Sequence, residues 1–254
     1  MMQTYCTCFL SDAPVATWPD LTFHTAIQDT ACLAWQHLLA LIDEAAADGR
    51  TTFAPLDAMT EDEQTQIVTL PPTIARLTAV KELQLYNSSL VRLPPEIGAM
   101  TSLEYFDPYT SYRLHWFPYE LMRCATLRDS RVSTRALYGN YKYRWPFPAL
   151  SAATLGVGDA LGPGTGPLFR PCSVCARLVE ARRLQQVWIS CWVATDVLPL
   201  LVHACSAACI AALPPPAAGY VPTPHCGGVG LVQPQTDAAH WAEWQRRHTI
   251  EESG

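Results

Sequence analysis

Two stretches of this chain repeat each other at a fixed distance, and that period constrains the fold more than any other feature. "LPPTIARLTAVKELQLYNSSL" begins at Leu70 and "LPPEIGAMTSLEYFDPYTSYRL" at Leu93, a step of 23 residues; a weaker copy, "FPYELMRCATLRDSRVST", begins at Phe117, 24 further on. Each copy carries an apolar–Pro pair, an apolar residue about four positions later, and then an alternating apolar run. A unit this short cannot bury an apolar face alone, so neighbouring units must stack and share one core.

Alternation places Leu83 and Leu85 on the inward side of a strand, with Val80 and Leu90 where the unit closes. Leu103, Tyr105 and Leu127 are assigned the same inward positions in the later copies. Ile74, Leu77, Ile97, Met100, Leu121 and Cys124 fill the opposite side. The prolines after Leu70, Leu93 and Phe117 fix a turn and supply no ladder donor. This pattern resembles the leucine-rich repeat. In that family Asn or Cys usually occupies the buried turn position; Ser88 and Pro108 fall there, so the copies are degenerate. The resemblance implies an α/β solenoid. An ordinary α/β domain in which the LPP spacing is a coincidence is the competing reading.

A short solenoid exposes its core at both ends and needs caps. Asp29 is the expected N-cap of a helix through "TACLAWQHLLALIDEAAADG", ended by Gly49, whose Cys32, Trp35, Leu38, Leu39 and Ile42 form one apolar face. At the other end "STRALYGNYKYRWPFPAL" loses the period and gains aromatics. The expected architecture is therefore a short leucine-rich repeat α/β solenoid with a helical N-terminal cap, followed by a small α+β zinc-stabilised module. Its divisions are 1–60 for the helical cap, 61–150 for repeats and C-terminal cap, 151–168 for a Gly/Pro linker, and 169–254 for a four-cysteine module with a C-terminal helix. The glycine-rich "GVGDALGPGTGPL" in the third division is followed by no Gly-Lys-Ser/Thr, so it reads as linker rather than phosphate cradle.

Residues between the inward positions point outward and offer a recognition face. By this register they include Gln84, Tyr86, Glu104, Phe106, Arg128 and Arg131, with Arg135 beyond. Tyr86 and Phe106 are expected side by side, flanked by arginine, the composition of a protein-binding hot spot. An ordinary polar sheet face stands against this reading.

The chain has ten cysteines. Four form two close pairs, Cys172 with Cys175 in "RPCSVCARL" and Cys205 with Cys209 in "VHACSAACIAAL", separated by twenty-nine residues. The first pair suits a tight knuckle turn, and the second lies at a helix start, where amides favour thiolate. Between them "QQVWISCWVAT" and "VLPLLVHAC" read as a two-stranded hairpin. Knuckle, hairpin and ligand-bearing helix together resemble the treble-clef type of zinc finger. Four thiolates suit Zn2+ in a closed, structural tetrahedron. His203, His225 and Cys226 are reserve ligands. Cys6, Cys8, Cys32, Cys124 and Cys191 lack a partner pattern and read as small buried hydrophobes.

A net charge of −6 opposes nucleic-acid and membrane-surface binding. Residues 43–63 hold seven acids and one arginine, whereas 113–144 hold seven bases and two acids. The N-terminus lacks the parts of a secretory signal, so a cytoplasmic setting is expected. No His-x-Glu precedes the Pro-Cys-x-x-Cys, which argues against a zinc deaminase, and no H-E-x-x-H or G-x-S-x-G occurs. His240, Glu243 and His248 fall with Trp241 and Trp244 on one amphipathic segment that reads as a docking helix. The whole resembles small bacterial leucine-rich repeat proteins carrying a four-cysteine module. That resemblance implies a non-catalytic protein binder, such as an immunity protein that neutralises a toxin or effector. A zinc-dependent hydrolase or transferase and a nucleic-acid-associated regulator are the alternatives.

Overall fold

The computed structural model describes residues 22–234; Cys6, Cys8 and the segment around Trp241 lie outside them. The first helix, α1 (Leu33–Asp48), buries Ala34, Trp35, Leu38, Ile42 and Ala45 on one face and ends at Gly49, left-handed at φ 68°. Its N-cap is Cys32 rather than Asp29. Asp29 instead accepts the Ala31 amide (2.9 Å), a local turn that uses up its carboxylate before the helix begins. The six-residue α2 (Glu61–Gln66) starts on a capping box, Thr60 with Glu63.

Four very short strands, β1 (Thr52–Phe53), β2 (Glu82–Gln84), β3 (Tyr105–Asp107) and β5 (Asp129–Ser130), pair in parallel in the order β1-β2-β3-β5. Phe53 lies opposite Leu83, Leu83 opposite Phe106, and Phe106 opposite Ser130. On the other side of the units run 3-10 turns at Pro72–Arg76, Pro95–Ala99 and Tyr119–Arg123. These segments have five residues each and prolines at the start of the first two, too short for a helix nucleus to be repaid. Their buried Ile74, Ile97 and Leu121 stack into the core. The turns press together so closely at Gly98 that a Cβ there would lie 2.5 Å from the Glu120 carbonyl oxygen.

A second sheet joins β4 (Phe117–Pro118), β9 (Asp196–Ala204) and β8 (Gln185–Val193) in the order β4-β9-β8, with β4–β9 parallel and β8–β9 antiparallel. Pro199 sits in β9 opposite Ser190. Trp188 exchanges both backbone bonds with His225, and Ser190 gives its carbonyl to Ala217, so this stretch of β8 turns alternate backbone groups away from β9. The missing proline N–H therefore costs that ladder nothing. A third sheet pairs β6 (Phe169–Pro171) with β7 (Leu178–Glu180), and α3 (Ala207–Ala211) follows β9.

This architecture corrects the expected leucine-rich repeat solenoid with appended module. The sheets are mixed, parallel and antiparallel, and the described residues hold three α-helices, of which only α1 is longer than six residues. The physical reason is the covering of the last unit. Its open apolar end is closed not by the aromatic segment after Ser133 but by β8 and β9, whose Val187, Ile189, Leu198, Leu200 and Val202 enter the same core as Leu83, Phe106 and Phe117. The turn of this hairpin also clasps β5. Thr195 Oγ1 donates to the Ser130 carbonyl (2.9 Å) and accepts its amide (3.1 Å), while Ser130 Oγ donates to Asp196 (2.8 Å). The aromatic segment forms its own cluster around the fully buried Trp188, with Phe23, Trp116, Tyr138 and Phe147.

Two consequences can be measured. Phe106, with no exposed surface and its ring edge-on to Phe117 at 6.0 Å, should cost about 3–5 kcal/mol when changed to Ala in chemical denaturation. The neighbouring Tyr105→Ala should cost much less. Separately, His225 packs on Phe147 and accepts the Gly227 amide at Nδ1, and burial pulls its pKa down to about 4 from 6.5. The unfolded chain therefore takes up this proton first, and the stability it contributes is whole above about 6.5 and drains as pH falls towards about 4. His225→Asn, which keeps an acceptor for Gly227, should narrow the drop in melting temperature between about pH 7 and about pH 5.

Candidate metal centre and recognition face

The β6–β7 hairpin turns at residues 172–177. The Cys172 amide donates to the Arg177 carbonyl (2.9 Å), the Ala176 amide to the Cys172 carbonyl (3.0 Å), and Ala176 is left-handed at φ 59°. This knuckle brings Cys172 and Cys175 together. The second pair is placed by the end of β9 and the start of α3, where Ser206 caps the helix by accepting the Cys209 amide (3.2 Å). The four sulfurs all lie within 4.8 Å of one another. Cys205 is 3.6 Å from Cys175 and 3.5 Å from Cys209, and its amide donates to the Cys172 sulfur (3.3 Å). Cys172 is fully buried, Cys205 and Cys209 partly so, and Cys175 is exposed.

The electrostatics favour at least one thiolate. Burial opposes ionisation of Cys205, but hydrogen bonding with Cys209, Cys175, Arg177 and Cys172 outweighs it and brings the thiol down to about 6. Arg177 Nη2 donates to that sulfur at 3.4 Å. Ser206 helps the Cys209 thiolate, yet the Cys205 sulfur beside it pushes Cys209 up to about 11. One negative charge is thus welcome and further ones repel, the situation a cation relieves. The four cysteines form a cluster that could hold a metal ion, as the spacing of the two pairs suggested, and no other such group occurs among the described residues.

The reserve ligands are turned elsewhere. His203 Nε2 accepts from Gln186 (2.9 Å), and burial keeps the ring well below its usual pKa. His225 is held against Phe147, and Cys226 is exposed.

One residue with no signal in the sequence links this centre to the first half. Ser173, between two candidate ligands, donates its amide to the His203 carbonyl (2.8 Å) and accepts the His203 amide at Oγ (2.9 Å). Its own carbonyl accepts Arg123 Nη2 (2.9 Å), which also reaches the Cys172 carbonyl (3.4 Å). Nearby the glycine-rich segment supplies Asp159, buried in an ion pair with Arg170 (3.0 Å). Gly166 is required there, because a Cβ would fall 2.1 Å from the Asp159 carboxylate.

The sheet face departs from its expected membership. Phe106 is a core residue, not a partner-binding one. A step of 22 from Leu83 would place Tyr105 inward, but the units advance by 23, which carries Leu83 onto Phe106. The same step carries Tyr86 onto Tyr109, and it is Tyr109 that stands beside Tyr86, ring centroids 6.3 Å apart. Arg131 lies over both, 4.4 Å from the Tyr109 ring and 6.0 Å from Tyr86, and 3.8 Å from Asp107. Gln84 is partly exposed; Glu104 is held between Lys81 and Arg128; Arg128 and Arg135 are exposed. Ser88 meets Ser111, not Pro108, at the buried turn, their hydroxyls 2.7 Å apart.

No helix among the described residues is long and apolar enough to cross a membrane. Compared with protein families, with curated proteins and with solved structures, the chain matches none.

Proposed function

We propose that this chain is a non-catalytic, cytoplasmic binding protein whose four cysteines hold a structural Zn2+ and whose face around Tyr86, Tyr109 and Arg131 engages another protein. The observation that carries the reading is the pair of exposed tyrosines bridged by one guanidinium. Tyrosine offers a large amphipathic surface with few rotamers to freeze, and arginine stacked on it is held ready for a partner carboxylate or carbonyl. A partner of the toxin or effector kind suits a binder that brings no reactive group of its own to the contact.

The donor set supports zinc over hard cations, since thiolates prefer soft or borderline metals. Four sulfurs about 2.3 Å from one ion stand about 3.8 Å apart, close to the separations in the cluster. Occupation by four protein ligands closes the coordination sphere and leaves no position for water, which argues against a zinc hydrolase or transferase.

Elemental analysis of protein purified without chelator should find one zinc per chain, and Cys172→Ser or Cys205→Ser should abolish retention. Affinity should weaken steadily as pH falls, because protons compete for each of the four thiolates, and more steeply below about 6, where Cys205 is protonated too. Full retention in both variants would remove these cysteines from the ligand set.

The recognition face is tested by affinity capture. Proteins retained by the wild type should be lost to a Tyr109→Ser, Arg131→Glu double variant of unchanged melting temperature, each anchor accounting for about 2 kcal/mol or more. Identical capture by both chains would place the interface elsewhere.

A further inference from the structure

The metal cluster and the recognition face lie on different sheets, yet two sets of contacts join them through one segment, residues 119–131. At one end Arg123, from the third 3-10 turn, donates to the carbonyls of Ser173 and Cys172 inside the knuckle. In the same turn Glu120 is buried and hydrogen-bonded with Ser173. At the other end Thr195 and Asp196 clasp Ser130, the residue before Arg131. Thr195 lies in the turn before β9 and Asp196 opens the strand, which ends at Ala204, directly before Cys205. The stretch that delivers Arg128 and Arg131 to the face is therefore gripped by both arms of the cysteine cluster.

Of the two arms, β9 is a buried central strand, but the knuckle hairpin and α3 that present the sulfurs are slight. The strands β6 and β7 are three residues each, with Arg170 alone buried among the six, and α3 has five residues with none buried. A helix or hairpin of that size does not persist in water on local hydrogen bonds. A metal joining all four sulfurs would supply the missing cross-links, as structural zinc does when binding and local folding are one equilibrium.

We infer that metal loading at Cys172, Cys175, Cys205 and Cys209 sets the order of residues 119–131, and so controls whether Arg131 is held over Tyr86 and Tyr109 for a partner. The inference rests on the metal and face assignments proposed above. It gives the centre a regulatory role: the same chain is binding-competent when loaded and has a loosened third unit when stripped. The two-state element is the knuckle with α3, whose ordered form both the metal and the Arg123 and Ser130 contacts favour.

The test is residue-resolved amide hydrogen exchange on the full chain, loaded with Co2+ and then stripped with a chelator, with thiolate-to-cobalt absorption reporting occupancy. On stripping, the amides of Leu127 and Arg131, which donate to Cys124 and Phe106, should exchange about tenfold faster. Those of Lys81 and Val91, bonded to Thr51 and Val68 in the first units, should change by less than about twofold. In Arg123→Ala and in Thr195→Val, cobalt absorption should persist while the metal dependence at Arg131 shrinks. Normal cobalt absorption with unchanged exchange at Arg131 would overturn the coupling and leave the metal centre standing. Absent cobalt absorption would instead defeat the metal assignment itself. Equal acceleration at Lys81, Val91 and Arg131 would also overturn the proposal, since the centre would then stabilise the whole fold rather than this segment.

Discussion

Everything in this molecule depends on how the last stacked unit hides its apolar end. Three turn-and-strand units with strands of two or three residues make a small core that is open on one side. The hairpin of β8 and β9 closes it. One face of the hairpin delivers Val187, Ile189, Leu198, Leu200 and Val202 to the core of the units, and Trp188 anchors the aromatic cluster on the other. Burial of these branched aliphatic chains, with Trp188 on the other face and the ladder between the strands, offsets the entropy of ordering two nine-residue strands. The same hairpin ends at Ala204, just before Cys205, so one half of the cysteine cluster is placed by a hydrophobic requirement located elsewhere.

The seam between the two halves is held by charge as well as by packing. Asp159 and Arg170 are both buried, and Glu120 and His203 lie close by. Burial raises the Asp159 pKa, against the opposing pull of Arg170, and raises Glu120 as well, while it lowers His203. Buried ion pairs add little net stability compared with apolar packing, but breaking one partner leaves an uncompensated charge. What such a seam contributes is register. The glycine-rich segment passes so close to this seam that a side chain at Gly158 or Gly166 would collide with His203 or Asp159.

The repeat period, the helix ended by Gly49, the β8–β9 hairpin and the two cysteine pairs were legible because each rests on local chemistry. A 23-residue step, a left-handed glycine, an alternating apolar run and a Cys-x2-Cys turn are short-range signals. The inward register of β3 was equally available, since applying the 23-residue step to Leu83 gives Phe106 and to Tyr86 gives Tyr109. Alternation within "LEYFD" pointed the other way, and alternation is a weak guide in a three-residue strand. What the residues could not disclose is long-range. Nothing in "CSVC" marks Ser173 as the contact for Arg123, and nothing in "VAT" marks Thr195 as the clasp on Ser130. Nor does the sequence say that a glycine-rich stretch would bury an ion pair. The solenoid failed as a fold class for the same reason: the partner that closes the last unit lies more than sixty residues downstream, beyond the reach of any local pattern.

The proposed recognition face, two tyrosines and an arginine, gains most from rigidity. Its aromatic rings are fixed by the parallel ladder beneath them, where Leu83 and Phe106 are fully buried. Arg131 is different. It follows β5, a strand of two residues at the sheet edge, and its ring contacts hold only if that edge holds. An edge strand this short has few backbone bonds of its own. Its position is set by Thr195 and Asp196 on one side and by the turn that Arg123 ties to the knuckle on the other. The face and the cysteine cluster are therefore not two modules in series. They share one packing solution, in which the hairpin that seals the core leads directly into Cys205 and clasps the edge from which Arg131 follows.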